Sequence, residues 1–229
     1  MSRMAVFVPS RGRPQNIADL VQSWRETAAG AADLVVRVDD DDPQLPAYRA
    51  LEIWHEPWAW LLTGPRLRLG PTLNELAAEY GEYTAIGFMG DDHRPRTPKW
   101  DGQILDVLQQ LGSGIVYGDD LLQHERLPTA VFMTSNIAGA LGYMCPPGLL
   151  HLFLDDAWKA LGEGMARLRY LPGVVIEHLH PVAGKAAEDD GYREVNSDER
   201  YTADGAAFEI WKRDVLPAAI NRLHKAGLC

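Results

Sequence analysis

Short apolar runs that stop abruptly at acidic or glycine-rich turns constrain this chain more than any other feature. Met4-Ala5-Val6-Phe7-Val8 ends at Pro9-Ser10-Arg11-Gly12-Arg13-Pro14, Leu34-Val35-Val36-Arg37-Val38 ends at four aspartates, and residues 83–89 end at Gly90-Asp91-Asp92-His93. Runs that are apolar at successive positions, not alternate ones, read as strands buried on both faces of a parallel sheet. The segments between them supply helices. Ile17, Leu20, Val21 and Trp24 recur at helical spacing behind a capping Asn16, as do Leu73, Leu76, Ala77 and Tyr80 over residues 72–80. Strand, helix, strand in this order implies an α/β fold with right-handed crossovers and a mostly parallel sheet covered by helices.

The pattern continues with a helix over 100–111, a strand over 113–117 closed by Gly118-Asp119-Asp120, a strand over 130–134 and a helix over 152–161. Val174-Val175-Ile176 then delivers Glu177-His178-Leu179-His180-Pro181, and a polar stretch over 183–196 precedes one long helix over 203–224. Residues 48–68, with Trp54, Trp58 and Trp60, show no clear period; residues 67–69 are their candidate strand. At 229 residues and 46% hydrophobic content, one compact domain is expected. The two cysteines, Cys145 and Cys229, are too few for a disulfide framework and lack zinc-site spacing. The first apolar run is too short for a signal sequence or a membrane span, which predicts a cytoplasmic protein.

A net charge of −10 disfavours bare nucleic acid as a partner, but the acidic residues fall in clusters at strand ends. Separate carboxylate loops gathered on one sheet edge repel each other unless a cation sits among them. Ligands of open α/β sheets bind beyond the carboxyl ends of the strands, so the residues there are the candidates. Asp91 and Asp92 sit on a tight turn suited to a divalent metal. His178 and His180, two apart on an extended chain, point the same way and offer imidazoles to the same ion. Asp155 and Asp156 open a helix, where they complement its dipole and where either can serve as a general base. Arg11 and Arg13 are suited to phosphates, although the loop is neither a Walker motif nor a dinucleotide fingerprint. Trp100 and Trp158 are read as packing residues.

Together these segments resemble the GT-A glycosyltransferases, especially family 2-like enzymes and small phage-encoded members, over most of the chain. Val6 to Pro14 is similar to the family's opening strand and nucleotide loop, Val38-Asp39-Asp40-Asp41 to its second strand with a base-binding aspartate, and Leu73-Asn74-Glu75 to the helix bordering the donor. Phe88-Met89-Gly90-Asp91-Asp92-His93 resembles the Asp-x-Asp metal motif, with Gly90 where the first aspartate often stands. The resemblance implies a single-domain GT-A enzyme with a nucleotide-binding half (about 1–100) and an acceptor-binding half (about 101–229). It implies Mn²⁺ or Mg²⁺ on Asp92, His178 and His180, and a UDP- or GDP-sugar donor held by Pro9, Ser10, Arg11, Arg13, Asp39, Asp41, Asn74, Asp91 and Lys185. It further implies Asp155 or Asp156 as the base and transfer with inversion. A loop around residues 185–192 is expected to close over the donor. The acceptor (protein, glycan, small molecule or modified phage DNA) stays open, as do two other readings. One is a metal-dependent hydrolase built on the same aspartates and histidines; the other is an inactive nucleotide-binding module.

Overall fold

The structure, a computed structural model, describes residues 3–180 and 197–229. Eight strands form one sheet in the order β3-β2-β1-β4-β7-β6-β8-β5. They are β1 (Met4–Ser10), β2 (Ala32–Asp39), β3 (Ala59–Gly64), β4 (Ala85–Phe88), β5 (His93–Pro95), β6 (Ile115–Asp119), β7 (Val131–Thr134) and β8 (Leu168–His178). Neighbours β3, β2, β1 and β4 run parallel, as do β6 and β8, while β7 is antiparallel to both its neighbours and β5 is antiparallel to β8. The expected mostly parallel sheet is therefore present, with two reversed strands.

Alternation along the central strand divides the core. Met4, Val6 and Val8 of β1 face one layer, with Ile17, Leu20 and Trp24 of α1 (Pro14–Thr27) and Trp100, Ile104 and Leu108 of α4 (Trp100–Leu111). Ala5 and Phe7 face the other layer, with Leu73 and Leu76 of α3 (Leu69–Glu79), α5 (Ser135–Leu141), and Leu154, Ala157 and Trp158 of α6 (Leu154–Gly164). Both faces are thus covered, which is why Met4 to Val8 of β1 and Leu34 to Val36 of β2 are apolar at successive positions. Trp100 and Trp158 are core residues, as read from the sequence.

Several boundaries differ from the sequence reading. The strand of the tryptophan-rich stretch lies at β3, while Leu69, assigned there to a strand, starts α3. A short helix α2 (Leu45–Arg49) and α5 were not foreseen. Asn16 does not cap α1, which opens at Pro14, whose fixed φ suits a first helical position. The single C-terminal helix is divided into α7 (Asp198–Ile210), a π-turn (Trp211–Val215) and α8 (Leu216–Lys225). Pro217 is the cause, because it has no N–H to donate and its ring clashes with the carbonyl four residues back.

β8 is much longer than the three residues foreseen, and its path places the site. Its pairing with β6 shifts between Gly118↔Leu171 and Asp119↔Val175, an irregularity at Pro172-Gly173 that re-aims the strand. Gly118 permits this, since a Cβ there would overlap the Val174 carbonyl. Beyond the shift β8 pairs with β5 in the register His93↔His178.

Candidate active site

The chain moves outward from β1 to β2 and β3, then returns to β4 on the other side of β1. The carboxyl ends of β1 and β4 therefore flank a topological switch point, the place where such sheets bind ligands. A cleft of about 360 Å³ opens there. Of the residues singled out in the sequence, Pro9, Ser10, Arg11, Arg13, Asp39, Asp91, Asp92, Asp155, His178 and His180 line it.

Asp91 locks the two strand ends together. Ser10 Oγ donates to its Oδ2 (2.6 Å), while Arg13 Nη1 and Asn16 Nδ2 reach its Oδ1 (both 3.3 Å). Since the one proton of Ser10 goes to Asp91, Tyr48 donates to Ser10 (2.7 Å) and in turn accepts the Arg13 N–H (2.7 Å). Burial and the neighbouring Asp92 charge push the Asp91 carboxyl above its usual value, with Arg13 opposing. Tyr48, on α2 in the stretch without a period, is the link that sequence reasoning missed.

Asp92 points to the histidines. His178 Nε2 stands 3.4 Å from Asp92 Oδ2 and His93 Nδ1 stands 3.4 Å from Oδ1, and the ligand atoms of these three residues lie within 4.8 Å of one another. Burial acts to raise the Asp92 carboxyl, but the adjacent His178 leads the influences that hold it well below its usual value. The two imidazoles stack at 4.2 Å. Backbone bonds from His178 N to Asp120 O (3.0 Å) and from Leu179 N to Asp92 O (2.9 Å) pin the end of β8 here. His180 lines the cleft edge-on to His178 (4.9 Å, 69°) and is not a member of that three-residue group, which contains His93. Gly90 leaves room for this turn, because a Cβ there would crowd Asp92 and His93.

Helix α6 presents Asp155 to the cleft from its first turn. Burial first, then the adjacent Asp156 charge, push the Asp155 carboxyl up to about 6. Asp156 is not among the cleft-lining residues, so the structure distinguishes the two members of the pair. Phe153, which caps α6 at φ +62, and Trp158 line the same wall.

The part of the cleft around the loops after β1, β2 and β3 is richer in arginine than the sequence reading foresaw. Arg11 Nη1 bridges Asp39 (3.0 Å) and Asp41 (2.5 Å), with Asp41 on the exposed rim and not in the lining. Arg37, buried on β2, donates to the carbonyls of Val38, Gly64 and Pro65 (2.7, 3.1 and 3.2 Å), fixing the corner from which Arg66 and Arg68 reach the cleft. Arg68 sits at φ +77, a region that non-glycine residues rarely enter.

Two foreseen residues stand apart. Asn74 does not reach the cleft: its Oδ1 accepts from Met144 N (2.8 Å) and Cys145 N (2.7 Å), and its Nδ2 donates to Cys145 O (2.9 Å). Asn74→Ala should therefore cost about 2–3 kcal/mol of stability, three part-buried hydrogen bonds at about 1 kcal/mol each, and leave any binding of nucleoside diphosphates in the cleft unchanged. Urea denaturation and nucleotide titration check this; weaker nucleotide binding in a folded variant would return Asn74 to the site. Lys185, with the loop expected around it, lies outside the described residues.

No family model and no curated protein sequence matches the chain. Solved structures do. The mannosyltransferase PcManGT from Pyrobaculum calidifontis, in complex with GDP-Man and Mn²⁺, superposes with a TM-score of 0.61 at 14% identity, covering 98% of this chain and 73% of its own. TarS of S. aureus (residues 1–349, in complex with UDP-GlcNAc) gives 0.59 at 12% identity, covering 97% of this chain and 73% of its own. At such identities the likeness establishes the fold: this chain has the GT-A architecture.

Proposed function

We propose that the chain is a metal-dependent glycosyltransferase that moves a sugar from a UDP- or GDP-linked donor to a hydroxyl acceptor with inversion. The observation that carries the reading is that Asp92, His178 and the half-buried Asp155 all line the one cleft at the switch point. PcManGT and TarS bind nucleotide sugars in the same architecture, the first together with Mn²⁺.

A carboxylate oxygen and an imidazole nitrogen form a donor set that fits Mn²⁺ or Mg²⁺ completed by phosphate oxygens and water. Such a cation supplies positive charge to the leaving diphosphate. The remaining work falls to the protein. Arg13 and Arg68 offer guanidinium forks to the phosphates, and Asp39, an acceptor when ionised, suits an N–H on the base edge. Asp155 takes the proton of the acceptor hydroxyl as its oxygen attacks the anomeric carbon from the face opposite the departing diphosphate. The elevated carboxyl value suits a base that must hold a proton after attack.

Among the described residues there is one group of three metal-capable side chains, whereas a two-metal hydrolase needs a second. No helix among them is long and apolar enough to cross a membrane.

The test is thermal denaturation with UDP, GDP, CDP and TDP, each with and without Mn²⁺. A nucleotide at a hundred times its Kd stabilises by about 2.7 kcal/mol, a rise of roughly 5–10 °C for a domain of this size. The expected result is a rise with one base only, dependent on metal. Stabilisation by metal alone, with no nucleotide effective, would instead favour the hydrolase.

A further inference from the structure

His93 is buried, stacked on His178 and beside Asp92, which makes it look like a third metal ligand. Its hydrogen bonds give it a different job. Asp120 is a buried carboxylate whose Oδ1 accepts from the N–H groups of Leu122, Gln123 and His124 (2.9, 2.6 and 2.9 Å) and whose Oδ2 accepts from Thr129 Oγ1 (2.8 Å). An ionised carboxylate only accepts, so the single hydroxyl proton of Thr129 is committed to Asp120. Toward His93, Thr129 Oγ1 can then only accept, and the His93 Nε2 that faces it (3.4 Å) must carry the ring proton. The other side of the ring requires the same tautomer. The Gly90 N–H points at His93 Nδ1 (3.0 Å) and a backbone N–H can only donate, whereas Asp92 Oδ1 stands farther from that nitrogen (3.4 Å), so Nδ1 is the bare nitrogen.

We infer that His93 is a positioning residue and not a metal ligand: an Asp120–Thr129 relay fixes it as the Nε2–H tautomer, and its Nδ1 lone pair holds the turn that carries Asp92. That lone pair is the only one an Nε2–H imidazole has, and it is spent on Gly90. The clamp is reciprocal, since His93 N donates back to Gly90 O (3.1 Å) and closes the turn Gly90-Asp91-Asp92-His93. The ion is then left to Asp92 and His178, with donor oxygens and water. Partners one shell out from a metal set its affinity by fixing the orientation of the ligands. The half of the inference that concerns the ion rests on the proposed function; the tautomer does not.

Two measurements decide it. In metal-free protein with labelled histidines, long-range proton–nitrogen NMR correlations, assigned to His93 by their loss in His93→Gln, should show a protonated Nε2 and a bare Nδ1. That pattern should persist when Mg²⁺ and nucleotide are added, while the His178 signals move. A proton on Nδ1, or a His93 Nδ1 that shifts as a metal-bound nitrogen, overturns the inference. Thr129→Val, which removes the acceptor for Nε2–H, should weaken Mn²⁺ binding about tenfold, as read from the free-ion electron paramagnetic resonance signal, with Thr129→Ser restoring it. Unchanged affinity in a folded Thr129→Val protein also counts against the relay. Should neither metal nor nucleotide bind the unmodified chain, the glycosyltransferase reading fails, and the metal-free tautomer still decides the role of His93.

Discussion

Asp92→Ala should abolish the Mn²⁺-dependent rise in melting temperature expected from a nucleotide, and lower the proposed sugar transfer by about a thousandfold or more. The magnitude follows from a metal ion's worth of several kcal/mol in stabilising developing charge, at about 1.4 kcal/mol per tenfold in rate. The variant should fold, because Asp92 occupies a turn and its side chain is 21% exposed. What it loses is the oxygen that faces His178. Asp92→Asn is the stricter version: it keeps size and polarity while removing the charge that attracts a cation. A full metal-dependent shift in either variant would remove Asp92 from the metal site and, with it, the main support for a cation at this turn.

Asp155→Asn should separate chemistry from binding. Loss of a general base costs about 10²–10⁴ in kcat, while a nucleotide donor, whose proposed contacts do not include Asp155, should stabilise the variant as much as the unmodified chain. Asp156→Asn should change transfer far less, since Asp156 is not part of the cleft lining. The raised Asp155 carboxyl adds two signatures. The base must be ionised to work, so kcat/KM should climb as pH rises through about 6 and level off above it, the inflection lying lower once a cation is bound nearby. In stability the sign is opposite. A carboxyl raised from 3.8 unfolded to about 6 folded contributes stability that is present below 3.8 and lost as pH rises through 6. At neutral pH, metal-free Asp155→Asn should therefore be more stable than the unmodified chain, by up to about 3 kcal/mol. A variant that is inactive and more stable marks a residue kept for chemistry. Equal losses in Asp155→Asn and Asp156→Asn, or loss of donor binding along with turnover, would contradict the assignment.

The candidate site was partly legible before the structure. Asp91-Asp92, His178, His180, Asp155 and the Arg11–Arg13 loop could be picked out because each follows a strand or opens a helix whose own pattern is strong. Residues whose role depends on a distant partner could not. Asn74 sits on a clearly amphipathic helix, and whether its amide faces the cleft or the Met144-Cys145 turn depends on where α5 and the following loop pack. His93 was visible as the end of a motif, but its register opposite His178 requires the irregularity in β8, and its tautomer requires Thr129 and Asp120. Arg37 reads as an interruption in an apolar strand until Gly64 and Pro65 come beneath it.

By itself the sequence determined the alternation of buried strands and amphipathic helices, the covered sheet, and the acidic strand ends, because hydrophobic periodicity and turn chemistry are local and act over a few residues. Tertiary structure alone decided which strands neighbour one another, that β7 and β5 run in reverse, that Asp155 and not Asp156 enters the cleft, and which histidine stacks on His178. Those outcomes depend on strand order, register and loop path, which bring together side chains whose identities carry no mark of their partners.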